Sequence, residues 1–106
     1  RAIADVEGMF AALLGKLAES PYHVGLQGNR ILAALAELVI GWLLVRHAAL
    51  AEGRLASATG EDKFFYAGKR AAARWYTQNV LPGLTLTRKL VEAGRLELLD
   101  LPEEAF

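Results

Sequence analysis

The sequence predicts an all-α protein, an antiparallel up-down bundle of three long helices with a short C-terminal tail. Ala and Leu occur 19 times each, and both residues lose little side-chain freedom in a helix. Apolar residues recur at intervals of three and four along most of the chain, which is the period of a helix that buries one face. At 106 residues, 54% of them hydrophobic, the chain is long and apolar enough for one domain, residues 1–106, with a single core.

The first helix is defined by a stripe of apolar residues that ends before a proline. Its predicted inner face consists of Ile3, Val6, Phe10, Leu13, Leu14 and Leu17. Ser20-Pro21 ends the pattern because the residue before a proline avoids the helical conformation. From there to Gly28 we expect a loop or a frayed helix start, with His23 in it.

A second helix is predicted from about Asn29 to Ser57. It is apolar almost all round, so burial is expected on most of its faces, although two other helices are too few to cover it completely. Its narrow polar seam consists of charged and small residues, namely Arg30, Ala34, Glu37, Gly41, Ala48 and Glu52. Glycine destabilises a helix by about 1 kcal/mol relative to alanine, so Gly41 predicts the close approach of a neighbouring element.

The third helix is predicted from about Asp62 to Val80, after a break at Gly60. Glu61 and Asp62 place negative charge at its start, where the helix dipole favours it. Its predicted inner face consists of Phe65, Ala72, Trp75, Tyr76 and Val80.

The last quarter of the chain is predicted to be a helical segment and a tail. Leu81-Pro82 should kink or break the third helix because proline removes a backbone hydrogen bond and clashes with the preceding turn. A further helical segment follows from about Leu84 to Ala93. The apolar residues of the tail are expected to dock onto the bundle, and these are Leu96, Leu98, Leu99 and Leu101. Pro102 is expected to start one final turn.

Composition and spacing argue against several classes of function. Twelve Lys and Arg balance twelve Asp and Glu, whereas nucleic-acid binding proteins concentrate positive charge. The chain has no cysteine, and His47 has no second ligand three or four positions away, as a metal site on a helix requires. Ser20 and Ser57 stand beside helix ends, where serine acts as a cap. No catalytic residue, cofactor-binding residue or metal ligand is therefore predicted in this chain.

The apolar stretch Ile31–Leu50 has the length of a membrane span. Glu37 and Arg46 lie within it, and both residue types are costly in hydrocarbon. The prediction is therefore a buried helix of a soluble, cytoplasmic protein that does not contact a membrane.

A cluster of basic and aromatic residues in the third helix has two interpretations. It consists of Phe65, Tyr66, Lys69, Arg70, Arg74, Trp75 and Tyr76. Such residues together stack on bases or hold phosphates, but aromatic residues at helical spacing more often form a core. Arg70 and Arg74 are one turn apart and repel each other, so an acidic neighbour such as Glu37 or Glu52 is expected.

Several segments match patterns that occur together in one family. Phe65–Lys69 fits Phe-Tyr-x-x-Lys, and Ala73–Tyr76 fits Ala-Arg-aromatic-aromatic. The similar segments are, in order, Gly41–Leu44, Ala48–Ala51, Phe64–Lys69, Ala73–Tyr76, Asn79–Pro82 and Leu101–Phe106. The region from Leu32 to Phe106 resembles the C-terminal extension of a bacterial-type branch of the acyl-CoA dehydrogenases.

The resemblance implies that this chain, which begins with Arg1 and not with Met, is a piece from the C-terminus of a longer enzyme. Such an enzyme oxidises an acyl-CoA thioester to the 2,3-enoyl form and passes a hydride to FAD. Its catalytic and flavin-binding residues would lie upstream of Arg1, so the piece is expected to hold no cofactor and to have no activity by itself. Its partners would be the remainder of the dehydrogenase and a sister subunit.

The expected role is therefore docking and assembly. The candidates for core or interface positions are Trp42, Phe65, Tyr66, Lys69, Arg74, Trp75, Tyr76 and Pro82. Aromatic residues and arginine are enriched in buried protein contacts, but Trp42 and Trp75 fit the domain core equally well. The alternative is a free-standing helical module that binds a peptide or a lipid in an apolar groove.

Overall fold

The protein is almost entirely helical, and the computed structural model describes all 106 residues. The elements are four helices, α1 (Ala2–Leu17), α2 (Tyr22–Leu55), α3 (Glu61–Asn79) and α4 (Gly83–Glu92), and two 3-10 turns, Glu97–Asp100 and Glu103–Ala105. The all-α prediction is confirmed. The predicted break in the third helix is confirmed as well, because α3 and α4 are separated at Pro82.

The long helix α2 is the central element, and α3 lies along its C-terminal half. Arg70 pairs with Glu52, and Tyr76 hydrogen bonds to Glu37. The later residue of α3 thus contacts the earlier residue of α2, so these two helices run in opposite directions.

The helices α1 and α4 cover the N-terminal half of α2, and they also contact each other. Asp5 of α1 contacts Thr85 of α4, and Lys16 near the end of α1 contacts Gly94 just beyond α4. The helices α1 and α4 therefore run in the same direction. One end of the molecule is three helices thick, and the other end consists of α2 and α3 alone.

This arrangement makes the molecule long and thin. Its principal extents are 68 × 27 × 16 Å and its radius of gyration is 19.6 Å, whereas a compact domain of this length has a radius of gyration of about 13 Å. The hydrophobic core lies at the three-helix end and consists of Val6, Met9, Ile31, Ala34, Leu84 and Val91. At the two-helix end, the buried residues are the small Ala51 and Ala73.

The inner face of α1 differs from the predicted one. Ile3, Phe10, Leu14 and Leu17 are exposed, whereas Asp5, Val6 and Met9 are buried. Val6 and Leu13 do contact the core as predicted, together with Ala2 and Ala12, and small residues allow neighbouring helices to approach closely. Close packing therefore decided which face of α1 is buried, and an apolar stripe in the sequence does not indicate how closely a face can pack.

The second helix begins earlier than predicted. Pro21 precedes its first residue, a position that proline tolerates because the first backbone N–H groups of a helix have no partner within it. The backbone N–H of Tyr22 also lies 3.2 Å from the Ser20 hydroxyl. His23 is therefore in the first turn of α2 and fully buried, so the expectation of a loop there was wrong.

Two further expectations about burial are corrected. Phe65 and Trp75 were placed on the inner face of the third helix, but both are exposed. Ala72, placed on the same face, is exposed as well. The buried residues where α2 and α3 pair are the small Ala51 and Ala73 instead. In the tail, the residues that were expected to dock are largely exposed, namely Leu98, Leu99 and Leu101, and Leu96 alone is half-buried. The final turn after Pro102 is present.

Candidate docking surface

The helix α2 has an inner seam and an outer stripe of different composition. Its buried residues, the inner seam, are His23, Gln27, Ile31, Ala34, Gly41 and Ala51. Its outer stripe consists of large apolar residues with exposed fractions between 38% and 66%, namely Leu32, Leu35, Val39, Leu43 and Leu50. The inner seam thus contains a single large aliphatic residue, Ile31, whereas most of the large apolar residues of α2 do not face the neighbouring helices.

At Gly41 the junction between α3 and α4 lies close to the inner seam of α2. A methyl group at this position would lie 3.0 Å from Cδ1 of Leu81 and 3.3 Å from Cε1 of Tyr76. The predicted reason for a glycine here, close approach of a neighbouring element, is confirmed. The contact fixes how near the junction between α3 and α4 lies to α2.

The two tryptophans lie outside the domain core. Trp42 is 55% exposed and Trp75 is 60% exposed. The guanidinium of Arg46 lies 4.9 Å from the Trp42 ring centroid, a cation–π contact that leaves much of the indole open to solvent. Both rings are therefore available to a partner.

Residues from α2 and α3 form an open cleft at the two-helix end, which we call the α2–α3 cleft. It has a volume of about 250 Å³ and is lined by His47, Leu50, Ala51, Arg54, Phe65, Tyr66 and Lys69. Three of the predicted candidates, Phe65, Tyr66 and Lys69, thus meet in one place. The contribution of α2 was missed, although His47, Leu50 and Arg54 stand at the spacing of one helix face.

The cleft has basic side chains next to aromatic rings. The Lys69 ammonium lies 5.3 Å from the Phe65 ring centroid, and the Phe65 and Tyr66 rings meet edge to face at 5.5 Å. Neither Arg54 nor Lys69 has a carboxylate within 4.0 Å, unlike Arg70, whose Nε lies 2.8 Å from Oε2 of Glu52. The expected acidic partner of Arg70 is thereby identified.

The remaining candidates lie apart from this cleft. The Tyr76 hydroxyl donates a hydrogen bond of 2.9 Å to the backbone carbonyl of Glu37, which ties α3 to α2. Burial raises the pKa of Tyr76, and the charge of Glu37 adds to the effect. Arg74 is exposed without an ion pair, and Pro82 is exposed directly before α4. Tyr76 therefore has a structural contact, and the other two face solvent.

The apolar surface of α2 is the main feature that calls for a partner. By length and composition alone α2 could cross a membrane, but the core helix of a soluble protein can have the same length and composition. Only 17% of the most apolar window of α2 is buried within this chain. Exposed apolar patches of this kind mark interaction sites. The structure is therefore that of an elongated helical domain with one uncovered apolar face on α2.

Comparison with known proteins identifies the family. The family described as "Acetyl-CoA dehydrogenase C-terminal like" matches residues 1–102. The broad-specificity linear acyl-CoA dehydrogenase FadE5 of Mycobacterium tuberculosis is 44% identical over a region that covers 100% of this chain and 18% of that protein. A butyryl-CoA dehydrogenase of Syntrophomonas wolfei is 41% identical over 84% of this chain and 15% of that protein.

The chain belongs to the family of acyl-CoA dehydrogenase C-terminal domains, and it matches only the C-terminal portions of these relatives. It spans less than a fifth of their length. The resemblance noted in the sequence is confirmed, and it extends over α1, which had no recognised pattern.

Proposed function

We propose that this chain is the non-catalytic docking domain of a soluble, cytoplasmic, FAD-dependent acyl-CoA dehydrogenase. The dehydrogenase would oxidise acyl-CoA to 2,3-enoyl-CoA. The observation that carries the docking role is the outer stripe of α2, whose leucines are exposed although α1, α3 and α4 already occupy the inner seam. The occupant of the stripe is the remainder of the dehydrogenase.

The energetics of the outer stripe favour a protein partner. Full burial of a leucine side chain contributes about 1.5–3 kcal/mol, so even partial cover of five such residues gives a substantial driving force for docking. A helix that lies on a membrane surface carries a basic rim beside its apolar face. Between Leu32 and Leu50 the helix has one basic residue, Arg46, besides His47, and one acidic residue, Glu37, so the outer stripe has no continuous basic rim.

The flavin would be held by the remainder of the dehydrogenase. The α2–α3 cleft has about 250 Å³, below the roughly 300–1,000 Å³ of pockets that hold drug-sized ligands, and FAD is larger than such ligands. The cleft residues do not fit a flavin dinucleotide. FAD would supply the hydride acceptor, and the residues of this chain would position one part of the enzyme against another.

The test uses the full-length dehydrogenase that contains this domain. In one variant, Leu35→Asp and Leu43→Asp place two charges in the outer stripe. In the matched control, Leu86→Asp places one charge on α4, where Leu86 is 61% exposed and lies outside the stripe. We expect the stripe variant to undock the domain, so that a protease releases it faster and calorimetry shows a separate transition. The control should behave as the unaltered enzyme.

Two results would count against the proposal. If the stripe variant resists proteolysis as well as the control does, the outer stripe is not the docking surface. If the natural polypeptide contains no flavin and sediments as a small monomer, the chain is not part of a flavoprotein. The second result would favour the alternative function, a free-standing module that binds a peptide or a lipid in an apolar groove.

A further inference from the structure

The charges of this neutral molecule are separated between its two ends. Residues 46–74 at the two-helix end carry six Lys and Arg but three Asp and Glu. The tail from Leu96 to Phe106 carries four carboxylates and no basic residue, and one basic residue, Arg95, directly precedes it. The tail lies at the opposite end, because Leu98 and Leu99 share a shallow cavity with Gly25 and Leu26 in the first turns of α2. The molecule therefore has a basic pole and an acidic pole.

The charges at both poles lack partners within the chain. The tail carboxylates make no ion pair, and these are Glu97, Asp100, Glu103 and Glu104. Arg54 and Lys69 in the α2–α3 cleft make none either, whereas Arg70 and Arg88 do.

The tail combines apolar side chains with carboxylates, and the cleft combines apolar side chains with basic groups. Leu101 and Phe106 are exposed, Phe106 by 87%, and Glu103 and Glu104 lie between them. The cleft offers the apolar surface of Leu50 and Phe65 beside its basic groups. Two apolar anchors with carboxylates between them are complementary to an apolar cleft with a basic rim.

The tail cannot fill the cleft of its own chain. Leu50 lies 24 positions after Leu26 along α2, which is about 36 Å at 1.5 Å per residue. Residues 100–106, the seven that follow Leu99, span at most about 25 Å when fully extended. As long as Leu98 and Leu99 stay beside Leu26, the segment that reaches the cleft has to come from another molecule.

We propose that the α2–α3 cleft binds the acidic tail, residues 100–106, of a second copy of this chain. A two-fold axis across the long direction of the molecule brings the acidic pole of each copy to the basic pole of the other. The same contact then forms twice, as in an isologous dimer. The proposal rests on the docking function only in that both concern assembly, because it does not use FAD and shares a single residue, Leu50, with the outer stripe.

The first test is a zero-length carbodiimide cross-link in the full-length protein, prepared as an equal mixture of ¹⁵N-labelled and unlabelled chains. The reagent joins the Lys69 amine to a carboxylate in direct contact. We expect peptides that link Lys69 to Glu103 or Glu104, with half of them carrying one labelled and one unlabelled partner. Links between Lys69 and another acidic segment of the protein, or links in which both partners always carry the same label, would overturn the proposal.

The second test exchanges the charges. One variant carries Arg54→Glu and Lys69→Glu, and the other carries Glu103→Lys and Glu104→Lys. Each variant alone places like charges in both contacts, so we expect its self-association, measured by sedimentation equilibrium, to weaken about tenfold or more. An equal mixture of the two variants restores one attractive and one native contact, so association should recover. The recovery also shows that both variants are folded.

The outcome separates this inference from the proposed function. If the mixture fails to recover, or if each variant associates as the unaltered protein does, the tail and the cleft do not pair between copies. Docking through the outer stripe is judged by a different pair of variants, Leu35→Asp with Leu43→Asp, and by proteolysis. Either proposal can therefore fail while the other stands.

Discussion

The hydroxyl of Thr85 donates a hydrogen bond of 2.7 Å to Oδ2 of Asp5, and the two residues are 80 positions apart. The Asp5 carboxylate is buried, with the residue 4% exposed. Its other oxygen lies 3.5 Å from the Arg88 guanidinium. A buried carboxylate is costly unless it is paired and hydrogen bonded, and α4 provides both partners. This contact joins the first helix to the fourth at the edge of the core.

Replacing Thr85 by valine removes the donor to that carboxylate while keeping the shape of the side chain. Hydrogen bonds to charged groups contribute about 1.5–3 kcal/mol, so we expect the free energy of unfolding to fall by about this amount. Thr87→Val is the control, because Thr87 donates only to the carbonyl of Gly83 in its own helix. Urea denaturation measures both variants. Equal losses in the two would show that the contact with Asp5 contributes nothing specific.

Replacing Gly41 by alanine tests the close approach of the α3–α4 junction to α2. Alanine is favoured over glycine by about 1 kcal/mol in a helix interior, and Gly53→Ala, at a position with open space around it, should gain about that much. At Gly41 the new methyl group meets Leu81 and Tyr76, so we expect the gain to be absent or reversed. Thermal unfolding of the two variants checks this. A similar rise in melting temperature for both would contradict it.

Core and surface truncations should separate sharply. Leu84 is fully buried, so Leu84→Ala is expected to reduce the free energy of unfolding by about 2–5 kcal/mol. Trp42→Ala and Trp75→Ala remove larger side chains but should reduce it by about 1 kcal/mol or less, because both rings are more than half exposed. Guanidinium denaturation of the three variants decides the matter. If the free energy of unfolding falls for either tryptophan variant by nearly as much as for Leu84→Ala, that tryptophan is part of the core.

The raised pKa of Tyr76 predicts a loss of stability in alkali. Burial, with a contribution from Glu37, favours the neutral phenol in the folded state, whereas an unfolded tyrosine has a pKa of about 10. The folded state thus holds this proton more tightly. The stabilisation is complete below about pH 10 and is lost as the pH rises through the higher folded pKa. Urea denaturation from about pH 9 to 12 should show the decline.

The control for the alkaline prediction is Tyr76→Phe, which has no proton to lose. Its decline over the same range should be shallower than that of the unaltered protein, because other groups that titrate there are unchanged. If the two proteins lose stability in parallel, Tyr76 does not contribute to the pH dependence.

Helix positions were largely predictable from the sequence because they depend on local chemistry. The breaks at Pro21, Gly60 and Pro82 follow from backbone restrictions of proline and glycine, and Gly60 does adopt the left-handed conformation. The close approach at Gly41 was also predictable, since a glycine inside a helix is costly without one. The start of α2 was not, because a proline can precede a helix as readily as it can end one.

The faces of the helices were not predictable in the same way. Phe10 and Leu14 fit the apolar stripe as well as Val6 and Leu13 do, but they are exposed, and Ala2, Met9 and Ala12 complete the contact side of α1. Periodicity identifies that a helix has an apolar side, whereas closest packing decides which side meets a neighbour. The α2–α3 cleft was predicted only in part for the same reason. The spacing of Phe65 and Lys69 does not indicate which residues of α2 lie opposite them.

The sequence by itself determined that this protein is helical, where its helices break and to which family it belongs, since these depend on residue order and on local conformational preferences. The tertiary structure alone decided that the outer stripe of α2 is left uncovered by the other helices, and that the acidic tail lies at the end away from the basic cleft. Those properties depend on contacts between residues far apart in the chain, such as Asp5 with Thr85. Such contacts exist only after the helices have packed, so the local sequence does not indicate them.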